Sequence, residues 1–338
     1  MITDNKSEKI NMIKVASAAG VSIATISRVV NGHGNVSEKT RNHVLEVLKE
    51  LNYRPNRLAR SLITKRSCII ALIIDDISNP FYPQIALGVE TAAKNAGYSL
   101  ILCNLNGSAE TEIDYINVLL GRQVDGLIFV ASRVDSSFYT TKLQIDVPVV
   151  SMDRQINIPG ADQVFLENVA GGYKITKYLI DRGHTRIAHI TGPLSMCTAS
   201  DRKQGYHKAL EEARITSHKH LIVEADYKLL GGQLATEKIL KAKILPTAIF
   251  YANDLMAIGG MDAIRRANLR TPEDIAVAGY DDISFAALTY PSLTTVQFPT
   301  INLGSMAMQM LLDRIQGLSS NEPRDVILEP SVIARNSA

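Results

Sequence analysis

Four apolar runs, CIIALIID, YSLILCN, VDGLIFV and VPVVSMD, lie within residues 68–153, and no other feature limits the possible folds so strongly. They are apolar on both faces, so strands made from them need cover on both sides, which a parallel α/β sheet provides and a half-solvated antiparallel one does not. The segments FYPQIALGVETAAKNAG and AETEIDYINVLLG have helical spacing and supply the crossovers, with Ile85, Val89, Ala92 and Ala96 marking one face of the first. The order then recurs: TRIAHITGP, a helix from about Ser200 to Ala213, HLIVEADY, a helix from Gly232 to Lys241, then PTAIFYAND. AETEIDYINVLLGRQVDGLIFVAS and GGQLATEKILKAKILPTAIFYAND match as helix, short basic loop and buried strand. Two such halves predict two doubly wound lobes facing each other. Ligands of open parallel sheets bind at the carboxyl ends of the strands, so the ends from both lobes would surround a shared cleft.

Polar and aromatic residues collect at those ends: Phe81 and Tyr82, Asp153 and Arg154, Asp226 and Tyr227, Asn253 and Asp254, Asp281 and Asp282. Arg202 opens the first helix of the second half, and Gln297 lies in LTTVQFP. Carboxylates, amides and one arginine can hydrogen-bond vicinal hydroxyls while aromatic rings cover an apolar sugar face, a mixture that suits a small polyol. Any single Asn or Asp after a strand is equally a turn former or helix cap; five strand ends together carry the argument. Catalytic signatures are missing: no GxGxxG, GxxxxGK[ST], GxSxG or HExxH occurs, and the seven histidines form no metal-like cluster. No catalytic residue, metal or cofactor is expected, and the chain does not read as an enzyme.

The first 66 residues differ in kind. They hold 12 Lys/Arg against 5 Asp/Glu, whereas residues 67–338 hold 24 against 29. A basic head on a mildly acidic body points to a polyanion partner for the head alone. In MIKVASAAGVSIATISRVVNG, Val15, Ala16 and Ala19 mark one short helix and Ile26, Val29 and Val30 a second, with Gly20 at the turn and Ser22 as N-cap. That spacing predicts a helix-turn-helix. Ala24, Ser27, Arg28 and Asn31 share the outward face, short, polar and basic as a major groove requires. A third helix follows, capped by Ser37, with Val44, Leu45, Val47, Leu48 and Leu51 as its stripe. No stretch approaches 18 uninterrupted apolar residues, and the N-terminal segment has no apolar run, so neither a membrane span nor a secretory signal is expected. Three widely spaced cysteines fit a reducing cytoplasm.

VASAAGVSIATISRVVNG…VSEKTRNHVLEVLKELNYRPNRLARSL resembles the DNA-binding head of the LacI/GalR family of bacterial transcriptional regulators, and DISNPFY, RQVDGLIF, GGYKITKYLIDRGHTRIAHITGP, PTAIFYANDLMAIG, IAVAGYDD and LTTVQFP resemble its effector-binding core. The resemblance runs unbroken over about residues 12–335, and the core is most similar to ribose-operon repressors. It implies an α/β chain with a helix-turn-helix head and hinge helix over 12–66, then a two-lobed periplasmic-binding-protein-like core over 67–338. The first lobe would take about 67–166 and 298–328, the second about 167–297 and the C-terminal segment. A hinge helix at about 56–63 would pair with its copy over the minor groove, with Asn56, Arg57 and Arg60 near the DNA, Leu58 and Ala59 in the paired contact, and Leu62 as a wedge between base pairs. Ser22, Ile23, Ala24, Thr25, Ser27, Arg28 and Asn31 would face the major groove, Ile23 and Ala24 at the base-choosing positions. Phe81, Asp153, Arg202, Asn253, Asp281 and Gln297 match effector contacts, joined by the strand-end aromatics Tyr82 and Tyr227.

Two positions depart from the family pattern, Lys14 for a common aspartate and Glu167 for the usual aspartate before Asn168, and Met196 leaves ITGPLSMCTASDR a single arginine. The partners implied are pseudo-palindromic operator DNA, a small sugar such as ribose and a second copy of the chain, with no membrane. A protein corepressor or purine-type effector is the alternative within the same class, and a sugar-binding transport protein or an α/β enzyme with a DNA-binding head the alternatives outside it.

Overall fold

The computed structural model describes residues 10–31, 34, 36–53, 66–130, 145–152, 158, 160–320 and 322–338. The chain divides into two compact units meeting at Ser67 and Cys68.

In the first unit three helices, Met12–Ala18, Ile23–Asn31 and Glu38–Glu50, close around Val15, Ala16, Ala19, Ile26, Val29, Val44 and Val47. Each start is capped by a side-chain oxygen: Asn11 Oδ1 accepts from Lys14 N–H at 3.0 Å, Ser22 Oγ from Thr25 N–H at 3.1 Å, and Ser37 Oγ from Thr40 N–H at 3.2 Å. Gly20 turns the chain between the first two helices at φ +60°. Leu45, expected in the third stripe, is 49% exposed. Positions 44, 47, 48 and 51 follow the i, i+3, i+4, i+7 spacing of one face, and residue 45 lies a further 100° round the helix.

The second unit is built on parallel sheets. Strands β1 (Ile69–Ile74), β2 (Ser99–Asn104), β3 (Gly126–Phe129), β4 (Val149–Met152), β5 (Asp162–Leu166) and β11 (Asp325–Leu328) form a six-stranded sheet in the order β11-β5-β4-β3-β1-β2. Strands β6 (Ile187–Thr191), β7 (Ile222–Glu224), β8 (Ala248–Tyr251) and β9 (Ala276–Ala278) form a four-stranded sheet, β7-β6-β8-β9. An antiparallel pair, β10 (Thr295–Gln297) and β12 (Ser331–Ile333), lies beside them. The chain leaves the six-stranded sheet toward the four-stranded one at 166–168, leaves β10 at 298–300 and passes from β11 to β12 at 328–331. Two of these passages are tied where Glu167 N–H donates to Leu328 O at 3.0 Å. No single described helix is long and apolar enough to cross a membrane.

Two helices begin earlier than the sequence predicts: Cys197–Glu212 in place of 200–213, and Leu229–Ile239 in place of 232–241. Their N-cap residues, Met196 and Lys228, make no side-chain cap, so neither start carries a sequence signal. In the Phe81–Asn95 helix the buried residue of the last turn is Ala93, while Ala96 is its exposed C-cap. The Asn168–Asp181 and Cys197–Glu212 helices cross at reciprocal glycines. A Cβ on Gly205 would stand 2.1 Å from Val169 O, and one on Gly172 would stand 2.2 Å from Arg202 O. This close crossing sets where Arg202 leaves its helix.

His189 on β6 lies in the core between Phe250 (ring centroids 4.4 Å) and Tyr206 (5.1 Å). Its Nδ1–H donates to Phe250 O at 2.9 Å, and its Nε2 has no hydrogen-bond partner. A second ring proton would be a buried donor with no acceptor, and burial pushes the imidazole down to about 3. The unfolded chain then takes up this proton near pH 6.5 and the folded chain only near 3. Stability from this site therefore rises with pH across that window. Urea midpoints of wild type and His189→Phe between pH 4 and 7 should show a flatter acid limb for the variant; superimposable profiles would refute the assignment.

Candidate functional site

The carboxyl ends of six strands from the two sheets surround a cavity of about 370 Å3, at the small end of the ~300–1,000 Å3 that ligand clefts occupy. Asp75, Asp76, Ser78, Asn79, Phe81 and Tyr82 reach it after β1, and Asn106 and Gly107 after β2. From the other sheet come Met196, Thr198 and Arg202 after β6, Asp226, Tyr227, Lys228 and Leu229 after β7, Asn253 and Leu255 after β8, and Asp281 after β9.

The aromatic wall is fixed locally. Asn79 Oδ1 accepts from Phe81 N–H at 3.1 Å, and the Phe81 ring meets Tyr82 and Phe298 edge-on at 5.2 and 4.9 Å. Opposite, Tyr227 takes a left-handed backbone (φ +65°), and its ring lies against Gly192, where a Cβ would stand 2.1 Å away. The glycine of ITGP thus makes room for the ring.

Arg202 is 3% exposed and fully engaged. Its Nε donates to Asn168 Oδ1 at 2.8 Å and its Nη1 to Ala252 O at 2.5 Å, and the Asp281 carboxylate lies 3.5 Å from Nη1. The guanidinium stacks 3.8 Å above the Tyr280 ring. It is thus fixed between Asn168, Ala252, Asp281 and Tyr280. Asn253 caps the Asp254–Arg266 helix by accepting from Met256 N–H at 3.0 Å and donates Nδ2–H to Tyr227 O at 3.0 Å. It is both a helix cap and part of the cavity wall. Behind it, burial pushes the Asp254 carboxyl up to about 7, against the pull of the Thr295 hydroxyl and the Ile283 N–H. The cavity is acidic overall, with Asp75, Asp76, Asp226 and Asp281 against Arg202 and Lys228.

The structure therefore brings Phe81, Tyr82, Arg202, Tyr227, Asn253 and Asp281 to one cavity. It does not bring Gln297 there. On β10, Val296 and Phe298 turn into the core, so alternation turns Gln297 outward, where Nε2 lies 3.4 Å from Asp282 Oδ2. Asp153 and Arg154 lie outside the described residues. Asp75, Asp76, Asn79 and Asn106 were not singled out from the sequence, although the rule that found Phe81 applies to them with more force, being nearer their strand ends. In the first unit Ser22, Ile23, Ala24 and Arg28 are exposed along the second helix, Thr25 and Ser27 half-buried, and Asn31 closes it. The hinge segment with Asn56, Arg57, Ala59 and Leu62 lies outside the described residues. Among the described residues no group of His, Cys, Asp and Glu is placed to hold a metal ion.

Family comparisons match residues 11–56 to bacterial regulatory proteins of the lacI family and residues 67–335 to periplasmic binding proteins and the sugar-binding domain of the LacI family. The ribose operon repressor of Haemophilus influenzae is 38% identical, covering 96% of this chain and 98% of that protein. The HTH-type transcriptional repressor PurR of Aliivibrio salmonicida is 36% identical, covering 96% and 97%. Among solved structures, a lac repressor dimer bound to operator and the anti-inducer ONPF matches with TM-score 0.87 and 31% identity, over 98% of this chain and 99% of that one. An Enterococcus faecium LacI family regulator with bound ribose matches with TM-score 0.72 and 28% identity, over 80% and 98%.

Proposed function

This chain belongs to the LacI family of bacterial regulatory proteins, and on that premise we propose that it is a homodimeric, cytoplasmic repressor whose grip on DNA is set by a neutral monosaccharide, ribose first among candidates, held in the cavity of residues 68–338. The observation that carries the sugar reading is the cavity's lining. Four carboxylates and three amides stand beside the Phe81 and Tyr227 rings, against two cations, Lys228 and an arginine already engaged by Asn168 and Asp281. Such a lining accepts from hydroxyls and repels phosphates and other anions. The ribose operon repressor and the ribose-bound regulator among the relatives support the same choice. We assign the cavity no catalytic role.

Calorimetric titration of the full chain with D-ribose, ribose 5-phosphate and hypoxanthine tests the reading. D-ribose alone should bind, and at 100 times its Kd it should add about 2.7 kcal/mol to stability. Binding of hypoxanthine instead would overturn the sugar class in favour of the purine reading that the PurR relative suggests. On the DNA side, Ile23 and Ala24 would read thymine methyls and Arg28 a base edge or phosphate. A dimer would read an inverted repeat, so selection from a random duplex pool should return a pseudo-palindrome; recovery of single half-sites only would count against the dimer.

A further inference from the structure

The loop that carries Asp281 to the cavity is joined to β10, where Asp281 N–H donates to Val296 O at 2.9 Å, and to Arg335, which donates to Asp282 at 2.6 Å. It is held at both ends by one further residue that does not itself line the cavity. Asp281 and Asp282 follow each other at φ +108° and +54°, a backbone that residues with a side chain rarely adopt and that persists only where the surroundings fix it. Asp254 supplies the bonds on either side of that pair. Its N–H donates to Tyr280 O at 2.8 Å, and its Oδ2 accepts from Ile283 N–H at 2.9 Å. Its Oδ1 accepts from the Thr295 hydroxyl at 2.6 Å, tying the loop to β10. A Cβ on Gly279 would stand 2.2 Å from Oδ1, so the glycine of VAGYDD leaves the space that this carboxyl fills. Asp254 is fully buried, while its neighbours Asn253 and Leu255 both face the cavity. One turn of chain thus forms the wall at the end of β8 and sets the wall at the end of β9.

Resting on the sugar reading of the cavity, we propose that Asp254 is a positioning residue for ligand binding, fixing the Tyr280–Ile283 turn in the conformation that aims the Asp281 carboxylate into the cavity. A residue needed only for stability would, when changed, lower the melting temperature and leave ligand affinity and local exchange as they are in any equally destabilised chain. Tyr206→Phe provides that comparison, because it removes the hydrogen bonds of a buried hydroxyl, to Ile187 O at the far end of β6 and to Ser217, partners that do not line the cavity.

The test is hydrogen exchange on the full chain without ligand, paired with D-ribose titration. In Asp254→Asn the amide group turns a donor toward one of the two donors that the carboxylate accepts from. Exchange at Asp281 and Ile283 should speed up at least tenfold while the rest of the second unit keeps its protection, and D-ribose affinity should fall at least tenfold. Tyr206→Phe should change neither by more than twofold. Thr295→Val, which leaves the Ile283 bond in place, should give a smaller change in the same direction, and it replaces Asp254→Asn should that variant not fold. Unchanged exchange at Asp281 and Ile283 overturns the proposal whatever the cavity binds. Failure of the wild type to bind D-ribose instead sinks the ribose reading, and the exchange data still decide the role of Asp254.

Discussion

Replacing Asp162 with alanine is expected to cost the second unit about 3–5 kcal/mol, the range for removing one partner of a buried ion pair. The Asp162 side chain is wholly buried and meets two arginines. Arg314 donates to it from Nη2 at 2.6 Å and from Nε at 3.1 Å. Arg324 donates from Nη2 at 2.7 Å, from Nε at 3.0 Å and from its backbone N–H at 2.9 Å. The same guanidinia reach Ser320 O, Glu322 O and Met310 O, so one carboxylate fastens β5, the end of the Thr300–Gln316 helix and the approach to β11. Without it, Arg314 would lose its counter-charge while mostly buried, and Arg324 would keep only Asp313, at 2.9 Å. At about 2.1 cal/mol/K per residue the loss corresponds to a fall of roughly 5–9 °C in Tm. Burial alone would raise the Asp162 pKa, but the bonds from Arg314 and Arg324 outweigh it and hold the carboxyl below its ordinary 3.8. The stabilisation is therefore complete above pH 3.8 and is lost as the pH falls below that value. Thermal melts at pH 7 decide the matter: an Asp162→Ala chain within about 1 kcal/mol of wild type would show that the arginines find other partners.

Asp162 also marks where the sequence stops being informative. The strands CIIALIID, VDGLIFV and VPVVSMD could be read because burial on both faces needs unbroken apolar runs. YSLILCN also forms a parallel strand, but at the sheet edge, with all but Cys103 exposed or half-buried, so its apolar run did not mean burial on both faces. The DQVFL strand could not be read, since its buried first residue is a charged one whose partners lie 152 and 162 positions away. Its edge partner DVIL alternates exposed and half-buried residues and likewise lacks the signal. The same contrast runs through the cavity. Phe81, Tyr227, Asn253 and Asp281 announced themselves as residue types suited to sugars at strand ends. Gln297 has the right chemistry, but Val296 and Phe298 on either side of it turn into the core, and its place is settled by pairing with Ser331 and Asp281, both distant in the sequence. Asp254 reads from the sequence as one of the polar residues collected at strand ends, and its grip on Thr295 and Ile283, which spans 41 and 29 residues, carries no local signal.

Arg202→Gln is the substitution expected to weaken D-ribose binding most, by about 10- to 100-fold, since the buried Arg202 contact that holds the Asp281 carboxylate in the cavity is lost, a charged hydrogen bond of ~1.5–3 kcal/mol at ~1.4 kcal/mol per decade. Part of that loss comes from the protein's own side. Asp281 is 5% exposed and has the Arg202 guanidinium 3.5 Å away; with the arginine gone, the buried carboxylate loses the charged partner that holds it in place. A second part reaches the passage between the sheets. Arg202 Nε holds Asn168 Oδ1, and Asn168 Nδ2 donates to Leu166 O at 3.2 Å, where the chain crosses from one sheet to the other. The arginine thus joins the ligand's place to one of the segments that must bend if the sheets move relative to each other, and its loss should reduce the effect of ligand on DNA affinity as well as ligand affinity itself. Lys177→Gln serves as the comparison, because the exposed Lys177–Asp181 pair on the next turns of the same Asn168–Asp181 helix contributes little. Titration with D-ribose, followed by DNA binding at saturating sugar, separates the two parts. A variant that binds weakly yet still transmits its full effect at saturation would confine Arg202 to ligand contact. A variant whose saturated response is blunted would place it on the path from the cavity to the hinge, a coupling of the ~1–3 kcal/mol that links ligand sites in switching proteins.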